Sequence, residues 1–419
     1  MKKHKKIILS HPGHVKVAYE TAYALQDSKR YFTFYTSLFF SKTGFFNSLH
    51  NFLKRRLGFK FFKYPLMRTM DELLPSNIKL IPFLEFIYLV SVRTPFFKKY
   101  SNYLLVYRNK HFDRKISRII KNEKADVFIG FDTCVARSFL EAKKIGAVCV
   151  LHQVIGHFNE GVIKLKKESE MNSLLNDYIE SYQGGSPEHF AQSKIELDLA
   201  DWIFAPSPYV KDSLIKNGVL SSKILLCPYG VNVKQFTPEN KKSLKTAFQV
   251  LFVGSIGFRK GIKYLVDALN LVKGEGIEVV IIGNSLLTLD PLYKLGINFD
   301  FVHIKSVRYS DLHKHYQSAD IFVSPSLHEG SSLSIYEALA CGLPVITTYE
   351  SGSVVRDNVD GFIVPAYDSA AIADKIMLLK NNKALKNKMS KNAREQALKF
   401  SWATYRQRFI NILEDNNII

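Results

Sequence analysis

The chain has 419 residues, 47% of them hydrophobic, and a formal net charge of +20. That length exceeds one ordinary core and predicts two domains, and the hydrophobic fraction excludes wholesale disorder. The four cysteines (Cys134, Cys149, Cys227, Cys341) form no CxxC pair, which argues against a zinc site and a disulfide scaffold and fits a reducing compartment.

After the basic start MKKHKK the apolar run covers only Ile7 to Leu9. This is too short for a signal-peptide core and reads as a first strand, Lys6 to Ser10. The turn His11-Pro12-Gly13-His14 leads into a helix-like run from Val15 to Leu25, and Tyr31 to Thr36 reads as a second strand. Gly13 lacks a side chain and allows close approach of a ligand, or is an ordinary turn glycine; His14 beside it can contact an acceptor.

From Ser41 to Lys121, 17 Lys or Arg stand against 4 Asp or Glu, an excess of 13 positive charges, interleaved with aromatics as in GFFNSLHNFLKRRLGFKFFKYPLMR. The pattern is mostly helical. Cations mixed with Phe and Leu suit an anionic membrane surface, which ranks above a solvated basic face and above nucleic acid. The longest apolar stretch, Leu80 to Val92, contains Glu85 and is too short to span a bilayer.

Asp126 to Gly130 reads as a buried strand, Cys134 to Ile145 as a helix, and Ala147 to Leu151 as a strand ending at His152. Strands alternating with helices predict a parallel sheet that presents ligand contacts at its carboxyl ends. His152 stands at such an end and can hydrogen-bond a donor sugar, or serve as a polar cap. His157 competes with it, and Asp132 can support it or touch an acceptor. Residues 156–194 read as polar and loop-rich, with Gly184-Gly185 and Ser186-Pro187 as breakers. Then come a strand at Trp202 to Ala205, a helix from Ser207 to Asn217 closed by Gly218, a strand at Lys223 to Cys227, and a linker at Thr237 to Lys242. Asp198 and Asp201 read as structural.

A second alternating unit has strands at Gln249 to Val253, Glu278 to Ile282, Phe301 to Ile304, Ile321 to Ser324 and Pro344 to Thr347, and Ser401 to Leu413 reads as an amphipathic helix. Arg259-Lys260-Gly261 precede a helix that starts near Ile262. Two cations at a helix N-terminus oppose its partial positive charge, a conflict that a bound phosphate or diphosphate resolves. The plainer reading is a solvated basic turn. In VSPSLHEGSSLSIYEALACGLPVIT, Glu329 and Glu337 flank a Gly330-Ser331-Ser332 turn that opens a helix, with Ser332 at its N-cap. The backbone N–H groups at this end can face a phosphate. The two carboxylates fit hydroxyl acceptors for a sugar and a ribose, or a general acid and base. Glu329 also fits a surface carboxylate and Glu337 a buried ion pair. The patterns GxxxxGK[ST], GxSxG and HExxH are absent.

These residues resemble glycosyltransferase family 4. The resemblance rests on the E-x7-E element PSLHEGSSLSIYEALACGLPVITT, the Arg-Lys-Gly element VGSIGFRKGIKYLVDAL, the stretch ADWIFAPSPYVKDSLIKNGVLSSKILLCPYGVNVKQFTP, and the strand-to-histidine turn GAVCVLHQ. It implies an α/β fold of GT-B architecture, two Rossmann-like domains facing each other across a cleft. Residues 1–236 would bind the acceptor and carry the basic aromatic segment (about 41–121). Residues 237–395 would bind the nucleotide-sugar, and 396–419 would form a helix packing back on the first domain. The implied activity is retaining hexosyl transfer from a UDP- or GDP-linked sugar to a glycan acceptor, with no cofactor and no metal.

By the same resemblance His152, Arg259, Lys260 and Glu329 are catalytic, and Gly13, Gly330, Ser331, Ser332 and Glu337 complete donor binding with Arg259, Lys260 and Glu329. Ser332 stands where many relatives have a second glycine. The charge of the basic segment, rather than the motifs, predicts a lipid-linked acceptor in cell-surface polysaccharide or lipopolysaccharide biosynthesis, an anionic membrane partner, no nucleic acid, and a peripheral place on the cytoplasmic face of the membrane. A nucleotide-sugar epimerase, a phosphorylase or a non-catalytic partner subunit of the same fold are the alternatives.

Overall fold

The computed structural model describes residues 5–39, 70, 72–94, 96–97, 100–171, 187–239, 247–284 and 295–419. The first part of the basic aromatic segment (41–69), the breakers at 184–186 and much of the 237–242 linker lie outside the described residues.

The short apolar runs form two all-parallel sheets. The first joins β1 (Ile7–His11), β2 (Phe32–Thr36), β3 (Ile78–Leu80), β4 (Val127–Phe131), β5 (Val148–His152), β6 (Trp202–Ala205) and β7 (Ile224–Leu226) in the order β3-β2-β1-β4-β5-β6-β7. The second joins β8 (Phe248–Val253), β9 (Ile277–Ile282), β10 (Phe301–Ile304), β11 (Ile321–Ser324), β12 (Val345–Thr348) and β13 (Gly361–Val364) in the order β10-β9-β8-β11-β12-β13. Helices cover both faces of such sheets, so β4, β11 and β12 are buried throughout and lack the alternation of a half-exposed strand. Strand order reverses between β1 and β4 and again between β8 and β11. Crevices open outside the carboxyl ends of strands at such reversals. The His11–His14 turn therefore sits at one reversal, and the Arg-Lys-Gly and Glu-Gly-Ser-Ser turns meet at the other.

The helices, in chain order, are α1 (Lys16–Asp27), α2 (Phe83–Arg93), α3 (Ser101–Glu123), α4 (Ala136–Lys144), α5 (Phe158–Met171), α6 (Pro187–Leu199), α7 (Pro208–Lys216), α8 (Ile262–Leu271), α9 (Tyr309–Ser318), α10 (Leu333–Ala340), α11 (Ser369–Asn381), α12 (Lys383–Leu398) and α13 (Trp402–Asp415). The loop-rich expectation for 156–194 is wrong at α5 and α6. The polar residues that disguise α5 as a loop are its contacts with the second sheet's side. Leu165 packs into that core, Lys164 pairs with Glu350 at 2.8 Å, and Glu168 accepts a hydrogen bond from Tyr264. The sequence pattern also passes over β3, β13, α9, α11 and α12.

α12 packs on α10, and α13 on α1. Within the second contact the hydroxyls of Thr21 and Tyr405 lie 2.9 Å apart and Arg406 reaches Glu20 at 2.6 Å. Phe409 of α13 is fully buried, with its ring centroid 5.1 Å from that of Phe204 and 5.5 Å from that of His152. Among the described residues no helix is long and apolar enough to cross a membrane. Phe409→Ala is expected to lower unfolding stability by about 3–5 kcal/mol through the cavity it leaves. Urea denaturation measures this, and a loss below about 1 kcal/mol would contradict the packing role.

Candidate functional site

Arg259 and Lys260 lie in a tight 3-10 turn between β8 and α8. Gly261 follows at the N-cap of α8 with φ 67°, a left-handed conformation that favours glycine. A Cβ there would stand 1.8 Å from the carbonyl oxygen of Pro325. That close approach presses the turn against the loop leaving β11, where Leu327 N–H donates to the Arg259 carbonyl at 2.8 Å. Glu329 in this loop accepts from both cations. Its Oε1 lies 2.7 Å from Lys260 Nζ and also takes Nη1 of Arg259, which donates in addition to the His328 carbonyl at 2.9 Å. Burial alone would raise the Glu329 pKa, but Lys260 and Arg259 overcome it and hold it at about 2. Glu329 is thus ionised at neutral pH, which removes it as a general acid, and it is ion-paired rather than a surface carboxylate. The three side chains carry a net charge of one positive unit at the N-terminus of α8.

The Glu329–Ser332 turn is docked on loops from the first sheet. A Cβ at Gly330 would lie 1.7 Å from the carbonyl oxygen of Val154, just beyond β5. Gly156 N–H donates to the Glu329 carbonyl at 3.2 Å, and the Ser207 hydroxyl, which caps α7, donates to the Gly330 carbonyl at 2.5 Å. Beneath them His328 Nδ1 is 2.6 Å from the Tyr209 hydroxyl. Burial first, and then the charge of Arg259, push the His328 pKa down to about 4, so the ring is neutral. His328 and Tyr209 escaped the sequence reading. The one signal for His328 is its place beside Glu329 at a strand exit.

Ser331 shares a 2.8 Å hydrogen bond with the Tyr336 hydroxyl. Ser332 occupies the N-cap of α10, but its hydroxyl meets Ser334 at 3.0 Å and makes no capping bond. Glu337 in α10 is buried and accepts from the Tyr316 hydroxyl at 2.9 Å, with Tyr309 as a second donor. No cation pairs with it among the described ion pairs, and burial raises its pKa to about 7.

Gly13 and His152 lie at the carboxyl ends of β1 and β5. Gly13 N–H donates to His11 Nδ1 at 3.1 Å, and the guanidinium of Arg108 lies alongside. His152 is 3% exposed, stacked on Phe131 with centroids 4.7 Å apart and on Phe204 at 5.1 Å. Burial pushes its pKa down to about 3, and its Nε2 has no hydrogen-bond partner. Asp132 accepts from Gln153 at 3.1 Å rather than from His152, and the Gln153 Oε1 is likewise unpartnered. Asp201 accepts from the Cys149 N–H at 2.8 Å and pairs with Lys143, which fits a structural role.

Two doubly wound parallel sheets, with a charged turn of one docked on strand-end loops of the other, define the GT-B class. The Anabaena protein HepE, solved in complex with UDP-glucose, shares the fold with a TM-score of 0.60 and 15% identity, over 98% of this chain and all of that one. Residues 233–396 match the family model described as Glycosyl transferases group 1, in keeping with the glycosyltransferase resemblance. A capsular polysaccharide biosynthesis glycosyltransferase of Staphylococcus aureus, CapM, is 31% identical over 49% of this chain and 59% of its own length. An N,N'-diacetylbacillosaminyl-diphospho-undecaprenol alpha-1,3-N-acetylgalactosaminyltransferase of Campylobacter jejuni is 27% identical over 47% of this chain and 56% of its own. The matches thus span little more than half the length of these relatives.

Glu337 makes stability depend on pH. Its folded pKa of about 7 lies above the ordinary 4.5, so the unfolded chain loses this proton first as pH rises. The contribution is fully present below pH 4.5 and is lost as pH rises through about 7, to the extent of roughly 3 kcal/mol. Glu337→Gln is expected to flatten the pH dependence of the urea midpoint across this window. An unaltered slope would contradict the assignment.

Proposed function

We propose that the protein is a retaining, metal-independent glycosyltransferase that moves a sugar from a UDP- or GDP-linked donor to a glycan acceptor of cell-surface polysaccharide or lipopolysaccharide. The observation that carries this reading is the net-positive Arg259–Lys260–Glu329 cluster at the N-terminus of α8, on the carboxyl side of the β8–β11 reversal. Backbone N–H groups and two cations suit a diphosphate there. The division of labour proposed is residues 1–236 for the acceptor, 237–395 for the donor, and 396–419 as the helix returning to the first domain. UDP-glucose in HepE supports a nucleotide-sugar donor, and the name of the Campylobacter relative supports a lipid-linked acceptor. The basic segment supports a peripheral place on an anionic membrane, at its cytoplasmic face.

In this mechanism Arg259 and Lys260 stabilise the charge that develops on the diphosphate as the bond from sugar C1 to phosphate oxygen breaks. The acceptor oxygen bonds to C1 on the same face, and its proton passes to the departing phosphate oxygen. Glu329 and the Gly330–Ser332 backbone hold the sugar. Glu337 accepts from the ribose, exchanging with a tyrosine donor. His152 acts as a neutral hydrogen-bonding group; its unpartnered Nε2 supports positioning of the sugar and its low pKa opposes proton transfer. Gly13 leaves room at the donor's acceptor-facing side.

Lys260→Ala is expected to lower turnover with a matching nucleotide-sugar by about tenfold or more, equivalent to about 1.4 kcal/mol. Turnover equal to the parent enzyme would refute the clamp. Product analysis that found epimerisation or phosphorolysis without transfer would replace the reaction assigned here.

A further inference from the structure

Helix α2 is inside out for a surface in contact with water. It buries Glu85 completely and Ser91 nearly so, while Phe83, Phe86, Ile87 and Val90 are exposed. These four sit at i, i+3, i+4 and i+7, one continuous helical stripe. The stripe that normally seals a helix to its core faces outward here. Its polar opposite faces inward, where Glu85 receives Nη1 of Arg108 at 2.7 Å. The apolar surface continues into α3, where Tyr103 and Tyr107 are exposed and stacked with centroids 6.5 Å apart. Among the described residues, ten large apolar ones between Phe83 and Tyr107 are 41–73% exposed. Contiguous apolar surface rimmed by charge marks an interaction site.

The charge indicates what covers it. Beyond the aromatic turns, α3 exposes Lys110, Arg114, Lys115, Arg118 and Lys121 in succession. An apolar stripe that passes into a basic stretch matches acyl chains beneath anionic headgroups, and a protein partner of ordinary composition has no need of it. We propose that α2 and the first turns of α3 insert into the interfacial layer of an anionic bilayer, with the basic turns of α3 lying at headgroup level. Attachment is then hydrophobic as well as electrostatic, and salt alone does not reverse it.

The patch is also placed for a lipid-borne acceptor. Arg108, the partner of Glu85, lies against Gly13 in the first βα turn. The lipid-contacting hairpin is thus rooted at the β1 strand end, where the proposed acceptor domain would bind its substrate. This last step rests on the transferase reading, whereas membrane insertion does not.

Vesicle flotation tests the insertion directly. With phosphatidylcholine–phosphatidylglycerol vesicles the protein is expected to float at low salt and to remain partly bound at about 1 M salt, where charges are screened. Replacing Phe83, Phe86, Ile87 and Val90 together by serine is expected to reduce the salt-resistant fraction about fivefold or more. The pair Tyr103→Ser and Tyr107→Ser, on the other helix, is expected to act in the same direction if the first variant folds poorly. Arg114→Glu with Lys115→Glu should weaken binding at low salt only. Flotation of both serine variants at parental levels, or no flotation of the parent at low salt, would overturn the proposal. So would light scattering that shows a dimer broken by the same substitutions, which would make a second copy the occupant. A thermal-shift screen with nucleotide-sugars reports on the transferase reading alone, so the two ideas fail separately.

Discussion

Glu329 sits between two cations that would otherwise repel each other at the positive end of a helix. Its carboxylate offsets one charge and leaves the other, and this residual charge gives the site a use for an anion. In the proposed function a diphosphate, with more negative charge than one carboxylate, would share the cations while Glu329 turned to a hydroxyl. The arrangement depends on two glycines. Gly261 lets the Arg-Lys turn touch the Pro325 carbonyl, and Gly330 lets the Glu329 turn touch Val154. A methyl group at Gly261 would push apart the charges that define the site, and one at Gly330 would lift the Glu329 turn off the loop leaving β5. Removing one member of such a buried cluster leaves uncompensated charge, at a cost of about 3–5 kcal/mol.

The same turn joins the two sheets. Val154, Gly156, Ser207 and Tyr209 from the first side meet the segment from His328 to Gly330 on the second. α5 adds a strap, with Lys164 on Glu350 and Glu168 on Tyr264. The second-sheet groups proposed to contact a donor are therefore held in register with the loop leaving β5. His152 lies at the head of that loop, in an aromatic stack closed by Phe409 of α13. A change at the C-terminal helix can reach the site through this stack without touching the charged cluster.

Much of this architecture was legible from residue order. Apolar runs such as DVFIG and AVCVL read as short buried strands, and they became β4 and β5. The two charged turns were legible because Gly261 and Gly330 punctuate strand-to-helix junctions beside residues that are costly to bury. Other features escaped for physical reasons. α5 uses polar side chains for contacts across the sheets, so its helical period is not written in hydrophobicity. Tyr316 and Tyr309 reach Glu337 from α9, and Tyr209 reaches His328 from α7, through pairings that depend on how distant segments pack. The outward stripe of α2 was hidden because a spaced apolar pattern does not say which side faces the core.

Calorimetric titration of UDP- and GDP-sugars into the full chain, beside the Arg259→Ala, Lys260→Ala double variant, measures whether the charged cluster holds a nucleotide-sugar. Saturable binding of a matching donor is expected in the parent, with a loss of affinity of about tenfold or more in the variant, which is less stable but still folded at the titration temperature. Equal affinity in the two proteins, or no binding of any nucleotide-sugar to the parent, would contradict this.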